Sequence, residues 1–193
     1  MFVQLSIICI GFLHRKLFHS MPNNAINSAA EISSLTLSLS KKPLEGMLFH
    51  NLKPIVDGRG DLTELWSAPW MKTKGAVQPK HIYQSATDHG VVKAWHLHGT
   101  HTDQFAVTRG KLQVVCADVR RRSKTFGQVN SFIVGAQQPA FIKIPPGIMH
   151  GWKALSIPEA LVLNLQSHTY DPKDELRFPW DIVLQEIWEP IFR

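Results

Sequence analysis

Residues 90–110, GVVKAWHLHGTHTDQFAVTRG, hold the pattern that decides the fold. The apolar run at its start predicts a strand that carries His96 and His98. Because side chains two positions apart in a strand face the same side, both imidazoles should point into one space. Asp103 follows a short polar loop, at the start of a second apolar run that ends in the turn at Gly110. Two strands that lean polar side chains inward are how a small β-barrel builds a pocket.

A second stretch repeats this arrangement further along the chain. Residues 144–152, IPPGIMHGW, predict a strand, a Pro-Pro-Gly turn and then His150 at the exit of the turn. With this residue, three histidines and a carboxylate would converge inside one barrel. The candidate active site therefore consists of His96, His98, Asp103 and His150.

The rest of residues 47–193 alternates short apolar runs with Gly, Pro and polar turns, at a spacing of roughly 8–12 residues. This spacing is typical of an all-β jelly roll or barrel. Only the tail, DIVLQEIWEPIF (181–192), shows helical periodicity. We therefore predict an all-β domain over residues 47–193 that ends in a short helical tail.

The composition of the 193 residues restricts the class of protein. Hydrophobic residues make up 44% and charged residues 19%, as in a soluble globular domain. The net charge of +6 is spread along the chain, and its one dense cluster, residues 120–124, lacks the aromatic residues and basic stripe of a nucleic-acid face. We predict no nucleic-acid partner; an anionic small molecule or a solvated loop suits this cluster better. Cys9 and Cys116 form no zinc-binding spacing.

The first 46 residues differ in composition from the rest. Residues 2–13, FVQLSIICIGFL, are too short to span a bilayer and lack the basic start and cleavage site of a signal peptide. Three interpretations stay open: a weak signal or anchor, an amphipathic docking segment, or sequence upstream of a true start at Met21 or Met47. Residues 22–42 are rich in Ser, Asn and Ala and indicate a linker. We expect residues 1–46 to be poorly ordered or upstream of the true start, and we expect no membrane partner.

Six motifs, in order along the chain, resemble the dTDP-4-dehydrorhamnose 3,5-epimerase family of sugar-nucleotide cupins. The spacing from Gly90 to Gly110 resembles the first cupin motif, and PPGIMH resembles the second. Each motif alone is weak, but six in register over about residues 50–190 are specific. The motifs are DGRGDLTE (57–64), QSATDHGVVKAWH (84–96), DVRRRSKTFG (118–127), IPPGIMHGW (144–152), YDPKDE (170–175) and PWD (179–181).

The resemblance implies a cupin jelly-roll barrel that acts as a cytoplasmic homodimer on a nucleotide-linked 4-keto-6-deoxy sugar. Members of the family need neither a metal nor an organic cofactor. They remove and replace protons beside the ketone, and the product serves polysaccharide assembly. By the same resemblance, His96 is the catalytic base. The candidate substrate contacts are Arg59, Glu64, Ser85, Lys93, His98, Asp103, Arg120, His150 and Asn164.

Several of these contacts carry a more specific expectation from the resemblance. Lys93 takes the place of an arginine near the sugar and diphosphate, so the charge stays but the bidentate fork is lost. Arg59 and Glu64 match an element that reaches the nucleotide, often across a dimer interface. Arg120 and Ser123 fall on the family's DxRxxS turn.

The chain also departs from the family pattern. The family's catalytic tyrosine falls on or beside Asn164, and the strand around it contains no tyrosine. The active-site lysine falls near Asp103 or Gln104. The carboxylate that partners the catalytic histidine usually follows the terminal tryptophan, where this sequence offers no match. Tyr83, on a strand that leads to the pocket, could replace the missing acid.

Two other functions stay open at this point. His96, His98, Asp103 and His150 are also the ligand types of a metal-binding cupin, in which a divalent ion would serve an oxygenase or a sugar isomerase. His101 is near enough in sequence to be a spare ligand. The third possibility is a catalytically inert sugar-binding cupin, suggested by the missing tyrosine.

Overall fold

The computed structural model describes residue 21 and residues 24–189. The apolar stretch at residues 2–13 lies outside the described residues, so its three interpretations stay predictions. The helices and strands, in chain order, are α1 (Ala29–Ser33), β1 (Ser38–Leu39), β2 (Leu48–Asn51), β3 (Ile55–Asp57), β4 (Gly60–Leu62), α2 (Trp70–Thr73), β5 (His81–Asp88), β6 (Val92–His98), β7 (Asp103–Arg109), β8 (Lys111–Asp118), β9 (Gln128–Gly135), β10 (Ala140–Ile144), β11 (Ile148–Ala154), β12 (Glu159–Gln166), β13 (Glu175–Arg177) and a 3₁₀ helix (Gln185–Trp188).

Two facing sheets form the barrel. One has six strands in the order β1-β9-β8-β11-β6-β13, and the other has five in the order β2-β10-β7-β12-β5. A hydrophobic core joins them, with residues such as Val114 from one sheet packed against Phe105 and Val162 from the other. Strands β3 and β4 form a separate hairpin. The predicted all-β jelly-roll barrel is confirmed.

The six-stranded sheet is buried on both faces, and strand β8 shows why. Val114 and Cys116 point into the barrel core, whereas Val115 and Ala117 point to a second cluster on the outside of the sheet. Because successive side chains of a strand alternate in direction, an apolar residue at every position requires cover on each side. Residues 25–32 and 178–188 supply part of the outer cover.

The segment before the predicted domain boundary contributes to this cover. Ile26 and Ile32 are buried in the outer cluster, and Ile26 N–H donates to Val119 O at 2.9 Å. Strand β1 adds to the sheet beside β9. Residues 24–42, part of the stretch that composition indicates as a linker, therefore pack on the barrel. A native start at Met21 or Met47 stays a prediction.

The tail after β12 closes the other end of the outer cluster. Trp188, in the 3₁₀ helix, is 2% exposed, and its ring centroid lies 5.2 Å from that of Trp95. The predicted helical tail is confirmed as one short turn. Ahead of that turn, β13 pairs with β6 and sets Glu175 opposite His98. Within residues 24–189, no helix is long and apolar enough to cross a bilayer.

Candidate active site

A cavity of about 640 Å³ opens between the two sheets. Strand β6 supplies side chains on one wall, and β5 and β12 supply them on the opposite wall. Seven of the ten candidate site residues line it: Ser85, Lys93, His96, His98, Asp103, His150 and Asn164. The same-face prediction for His96 and His98 therefore agrees with this placement.

His96 forms a dyad with a carboxylate that the sequence did not reveal. Its Nδ1 lies 3.0 Å from Glu175 Oε1, on the adjacent strand β13. Arg177 Nη2 donates to the other carboxylate oxygen of Glu175 at 2.8 Å. The hydrogen bond from His96 lowers the pKa of Glu175 to about 2, aided by Arg177 and opposed by burial. The ionised Glu175 holds the hydrogen on Nδ1, so that Nε2 keeps the lone pair of a base.

Below the dyad, three histidines surround the buried Asp103. His98 Nε2 and His150 Nε2 lie 3.2 Å and 3.1 Å from Asp103 Oδ2. His101 Nε2 lies 3.9 Å from Asp103 Oδ1. The amide nitrogens of Asn164 and Gln166 donate to that same oxygen, at 3.0 Å and 2.8 Å.

Asp174 orients His101 from outside this cluster. Its Oδ2 accepts from His101 Nδ1 at 2.7 Å and from the backbone N–H of His101 at 3.0 Å. Burial alone would raise the pKa of Asp174, but these two hydrogen bonds outweigh it and hold the pKa below its usual value. Asp174 therefore fixes the orientation of one of the three histidines around Asp103.

Tyr83 faces the cavity from the wall opposite His96. Strand β5 pairs with β12 so that Tyr83 lies directly across from Asn164, and Asn164 Nδ2 donates to the phenol oxygen at 2.9 Å. Burial and the nearby Asp103 raise the pKa of Tyr83 to about 12. The phenol is therefore protonated at neutral pH, and its O–H remains available to the cavity.

Lys93 supplies positive charge at the same level of β6. Its Nζ donates to Ser85 Oγ at 3.1 Å and to Ala86 O at 2.5 Å. The bond between Lys93 Nζ and Ser85 Oγ joins two of the predicted substrate contacts across the two sheets.

Three predicted contacts lie outside the cavity. Arg59 and Glu64 lie on and beside the β3–β4 hairpin; the side chain of Arg59 is 90% exposed and bonds Asp57. Arg120 is 5% exposed in the turn after β8. Its guanidinium donates to both carboxylate oxygens of Asp118 and to Glu45 O, and the predicted ligand role of Arg120 stays a prediction.

Sequence reasoning missed several residues of the cavity. His81 lines it, and among the described residues its buried Nδ1 has no hydrogen-bond partner. Glu175 lies in the motif YDPKDE, but its role depends on the pairing of β13 with β6, which no local pattern indicates. The other missed cavity residues are Gln166, Tyr170 and Arg177, and Asp174, behind His101, was also missed.

The predicted four-residue metal set is also rearranged. His96 bonds Glu175, and its ring centroid lies 6.1 Å from that of His150. Among the described residues, the group whose ligand atoms all lie within 4.8 Å of one another is His98, His101 and Asp103. The predicted metal site stays a prediction. Its most compact group of ligand atoms contains His101 in place of His96.

The barrel and its cavity define the class of protein: a cupin-like barrel, in which a histidine–carboxylate pair faces the cavity. A family model for dTDP-4-dehydrorhamnose 3,5-epimerase matches residues 41–191, and the chain belongs to this family. The predicted family, fold and isomerase class are confirmed.

Individual relatives agree with this assignment. The chain is 34% identical over 134 residues to the probable low-salt glycan biosynthesis epimerase Agl13 of Haloferax volcanii, across 68% of this chain and 85% of that protein. It is 35% identical over 94 residues to the spore coat polysaccharide biosynthesis protein SpsL of Bacillus subtilis, across 48% of this chain and 62% of that protein. The solved structure of a dTDP sugar isomerase from Desulfovibrio desulfuricans G20 superposes with a TM-score of 0.67 at 28% identity, across 72% of this chain and 87% of that one.

Proposed function

We propose that this protein epimerises a nucleotide-linked 4-keto-6-deoxy sugar, with His96 as the base. One observation carries the proposal: the bond between His96 Nδ1 and Glu175 Oε1 leaves Nε2 as the basic nitrogen at the wall of the cavity. A proton beside a ketone is acidic enough for such a base because the electron pair left behind becomes an enolate.

The reaction balances without any group from outside. His96 takes the proton from the carbon beside the ketone, and the electron pair of that bond moves to the ketone oxygen. The enolate then collapses, and a proton reaches the same carbon from the other face. The configuration is inverted, and both protein groups return to their starting states by exchange with water.

We assign the proton donor as Tyr83. His96 lies on the six-stranded sheet and Tyr83 on the five-stranded sheet, so a sugar between them has one group on each face. Since Asn164 donates to the phenol oxygen, the phenol hydrogen can point to the substrate. The pKa of about 12 keeps this hydrogen in place until the enolate forms.

For the anionic part of the substrate, the cavity offers Lys93 with Ser85, and Arg177 at the rim. The exposed β3–β4 hairpin supports a homodimer, in which Arg59 and Glu64 of a second copy would reach the nucleotide. Ile55, Val56 and Leu62 are 67%, 74% and 63% exposed on this hairpin, an unusual amount of apolar surface to leave in water.

We expect a cytoplasmic enzyme that needs no cofactor for proton transfer and has no nucleic-acid or membrane partner. Its product would enter polysaccharide assembly, in line with the names of the relatives from Haloferax volcanii and Bacillus subtilis. The inert sugar-binding protein remains as an outcome of the test below, and metal analysis of a chain that does not exchange tests the metal-dependent oxygenase or sugar isomerase.

Proton NMR in deuterium oxide tests the reaction directly. dTDP-4-keto-6-deoxyglucose is incubated with the full chain, and the signals at carbons 3 and 5 are followed. We expect loss of signal at one or both carbons, and the number lost separates epimerisation at one centre from epimerisation at two.

Matched histidine variants give the control. His96→Ala should abolish exchange with nucleotide binding retained, whereas His168→Ala, at an exposed histidine, should exchange like the wild type. Exchange that persists in His96→Ala would rule out the base assignment. A wild type that binds the nucleotide but never exchanges would favour an inert sugar-binding protein.

A further inference from the structure

The cluster around Asp103 is not used by the proton transfers above. It contains three imidazoles that converge on one carboxylate, and every member is at least nine-tenths buried yet lines the cavity. The members and their exposed fractions are His98 6%, His101 4%, Asp103 3% and His150 2%.

The outer ring nitrogen of each histidine faces an oxygen that can only accept. His98 Nδ1 lies 3.4 Å from Asp174 O, and His101 Nδ1 lies 2.7 Å from the carboxylate of the same residue. His150 Nδ1 lies 3.1 Å from Ile148 O. Carbonyl and carboxylate oxygens carry no hydrogen here, so each contact is a hydrogen bond only if the hydrogen is on Nδ1.

This fixes what the inner nitrogens carry. A neutral imidazole has one hydrogen, and with it on Nδ1 the Nε2 atom presents a bare lone pair. The amide nitrogen of Gln166 lies 3.2 Å from His101 Nε2 and can only donate, which requires that bare nitrogen independently. The lone pairs of His98 and His150 then face Asp103 Oδ2, an arrangement that repels unless a positive charge lies between them, while the lone pair of His101 accepts from Gln166 until an ion displaces that amide.

We propose that His98, His101, Asp103 and His150 bind one divalent transition-metal ion, such as zinc, cobalt, iron or manganese. Three imidazoles and a carboxylate suit these ions, whereas calcium and magnesium prefer oxygen ligands. Four ligands at about 2.1 Å from a tetrahedral zinc lie about 3.4 Å from one another. The ligand atoms of His98, His101 and Asp103 already lie within 4.8 Å of one another, whereas His150 Nε2, 3.1 Å from Asp103 Oδ2, must move toward the other two histidines to complete the set.

The outer hydrogen bonds fit the same assignment. Histidines that bind metals commonly donate the other ring hydrogen to a carboxylate or a carbonyl, which fixes the ring and its tautomer. Asp174 supplies both kinds of acceptor, one for His98 and one for His101. The ion would lie at the wall of the substrate cavity, where an open coordination position could bind a substrate oxygen. This site goes beyond the proposed proton transfer, which stands without it.

Cobalt binding tests the site without reference to activity. The untagged full chain is stripped with a chelator, dialysed, and titrated with cobalt(II) while the visible absorption of the bound ion is recorded. We expect one cobalt per chain with an absorption typical of nitrogen and oxygen ligands, and displacement of that cobalt by zinc(II).

Variants locate the ion. His101→Gln and Asp103→Asn remove direct ligands and should abolish stoichiometric binding. Asp174→Asn changes only the orienting partner and should weaken binding by about 10- to 100-fold. His81→Ala removes a histidine of the same cavity that is outside the cluster, and it should bind cobalt like the wild type. Circular dichroism checks that each variant is folded. If a variant is unfolded, the cobalt stoichiometry of the wild-type chain still tests the site.

Two results would overturn the site. One is a wild-type chain that binds neither cobalt nor zinc in stoichiometric amount. Nitrogen NMR that shows hydrogens on both ring nitrogens of His98 and His150 would then identify protons as the positive charge beside Asp103. The other is binding that His81→Ala removes and His101→Gln does not. Neither result bears on the exchange reaction of His96.

Discussion

Two acidic side chains, Asp118 and Glu175, each bind a basic partner, and only Glu175 lines the cavity. Asp118 has a fully buried side chain and accepts from the guanidinium of Arg120 and from the hydroxyls of Ser123 and Thr125. Glu175 accepts from His96 and Arg177 at the wall of the cavity. Asp118 takes up hydrogen bonds from Arg120, Ser123 and Thr125 within its own turn. The pair between Glu175 and His96 instead leaves Nε2 of the histidine available. An ion pair with an unused reactive atom is the one that can act on a ligand.

The pKa directions of the two carboxyl groups agree with this contrast. Burial alone would raise the pKa of Asp118, but hydrogen bonds from Arg120, Ser123 and Thr125 outweigh it and hold the pKa below its usual value. For Glu175 the largest cause is the hydrogen bond from His96 itself. Asp118 thus stabilises a turn, and the ionisation of Glu175 is coupled to the base.

The largest expected effect comes from Glu175→Gln. An amide can donate its own hydrogen to Nδ1, which moves the imidazole hydrogen to Nε2 and removes the base. We expect kcat to fall by about 10²- to 10⁴-fold, as when the carboxylate that orients a catalytic histidine becomes an amide. KM should change little because Glu175 bonds His96 rather than the substrate. Steady-state kinetics with the keto-sugar measures both constants.

The pH profile separates positioning from a general loss of structure. Glu175→Gln should move the pH dependence of kcat as well as its size, since the histidine loses its negative partner. Arg177→Gln, which removes the other partner of this carboxylate, should leave His96 paired and reduce kcat much less. Equal losses in the two variants, with unchanged profiles, would contradict the positioning role.

The second largest effect is on stability. Asp118→Ala leaves the guanidinium of Arg120 buried without its carboxylate, and removal of one partner of a buried ion pair costs about 3–5 kcal/mol. Urea denaturation should show this as a lower midpoint with an unchanged slope. Exchange activity per folded molecule should equal that of the wild type. A stable variant with lost activity would place Asp118 in the functional site instead.

The fold and part of the site could be predicted because their signals are local. Alternating apolar residues and glycine turns indicate strands one at a time, and the spacing of His96 and His98 sets both on one face of β6. His150 follows a Pro-Pro-Gly turn that directs it to the same place. Each of these inferences needs only the neighbouring few residues.

The partners could not be predicted because they come from pairings across the chain. Glu175 is 79 residues from His96, and Asn164 is 81 residues from Tyr83. Which strand lies beside which is decided by the packing of the whole barrel. Arg120 shows the converse case. A run of basic residues indicates a loop exposed to solvent, but the turn folds Arg120 onto Asp118, two positions before it.

A smaller effect sharpens the contrast within the turn. Arg120→Lys keeps the charge beside Asp118 but has a single donor group in place of a planar fork that reaches two carboxylate oxygens. We expect a loss of about 1–3 kcal/mol, the size of a hydrogen bond to a charged group. Arg121→Lys, at an exposed arginine bonded to Glu31, should change the urea midpoint by less than about 1 kcal/mol. Similar losses at the two positions would show that the fork in the turn is unimportant.

The smallest effect is the pH dependence that Glu175 gives to folding. Its pKa is about 2 in the folded protein against 4.5 in the unfolded chain, so it stabilises the fold fully above pH 4.5 and loses that contribution as pH falls toward 2. Wild type should therefore exceed Glu175→Gln in unfolding free energy by about 1–2 kcal/mol at pH 6, with allowance for solvent around the pair. The difference should shrink between pH 4.5 and 2, while other titrating groups cancel in the comparison. A difference that stays constant over this range would mean that the pair with His96 forms equally well when Glu175 is protonated, and the dyad would then not depend on charge.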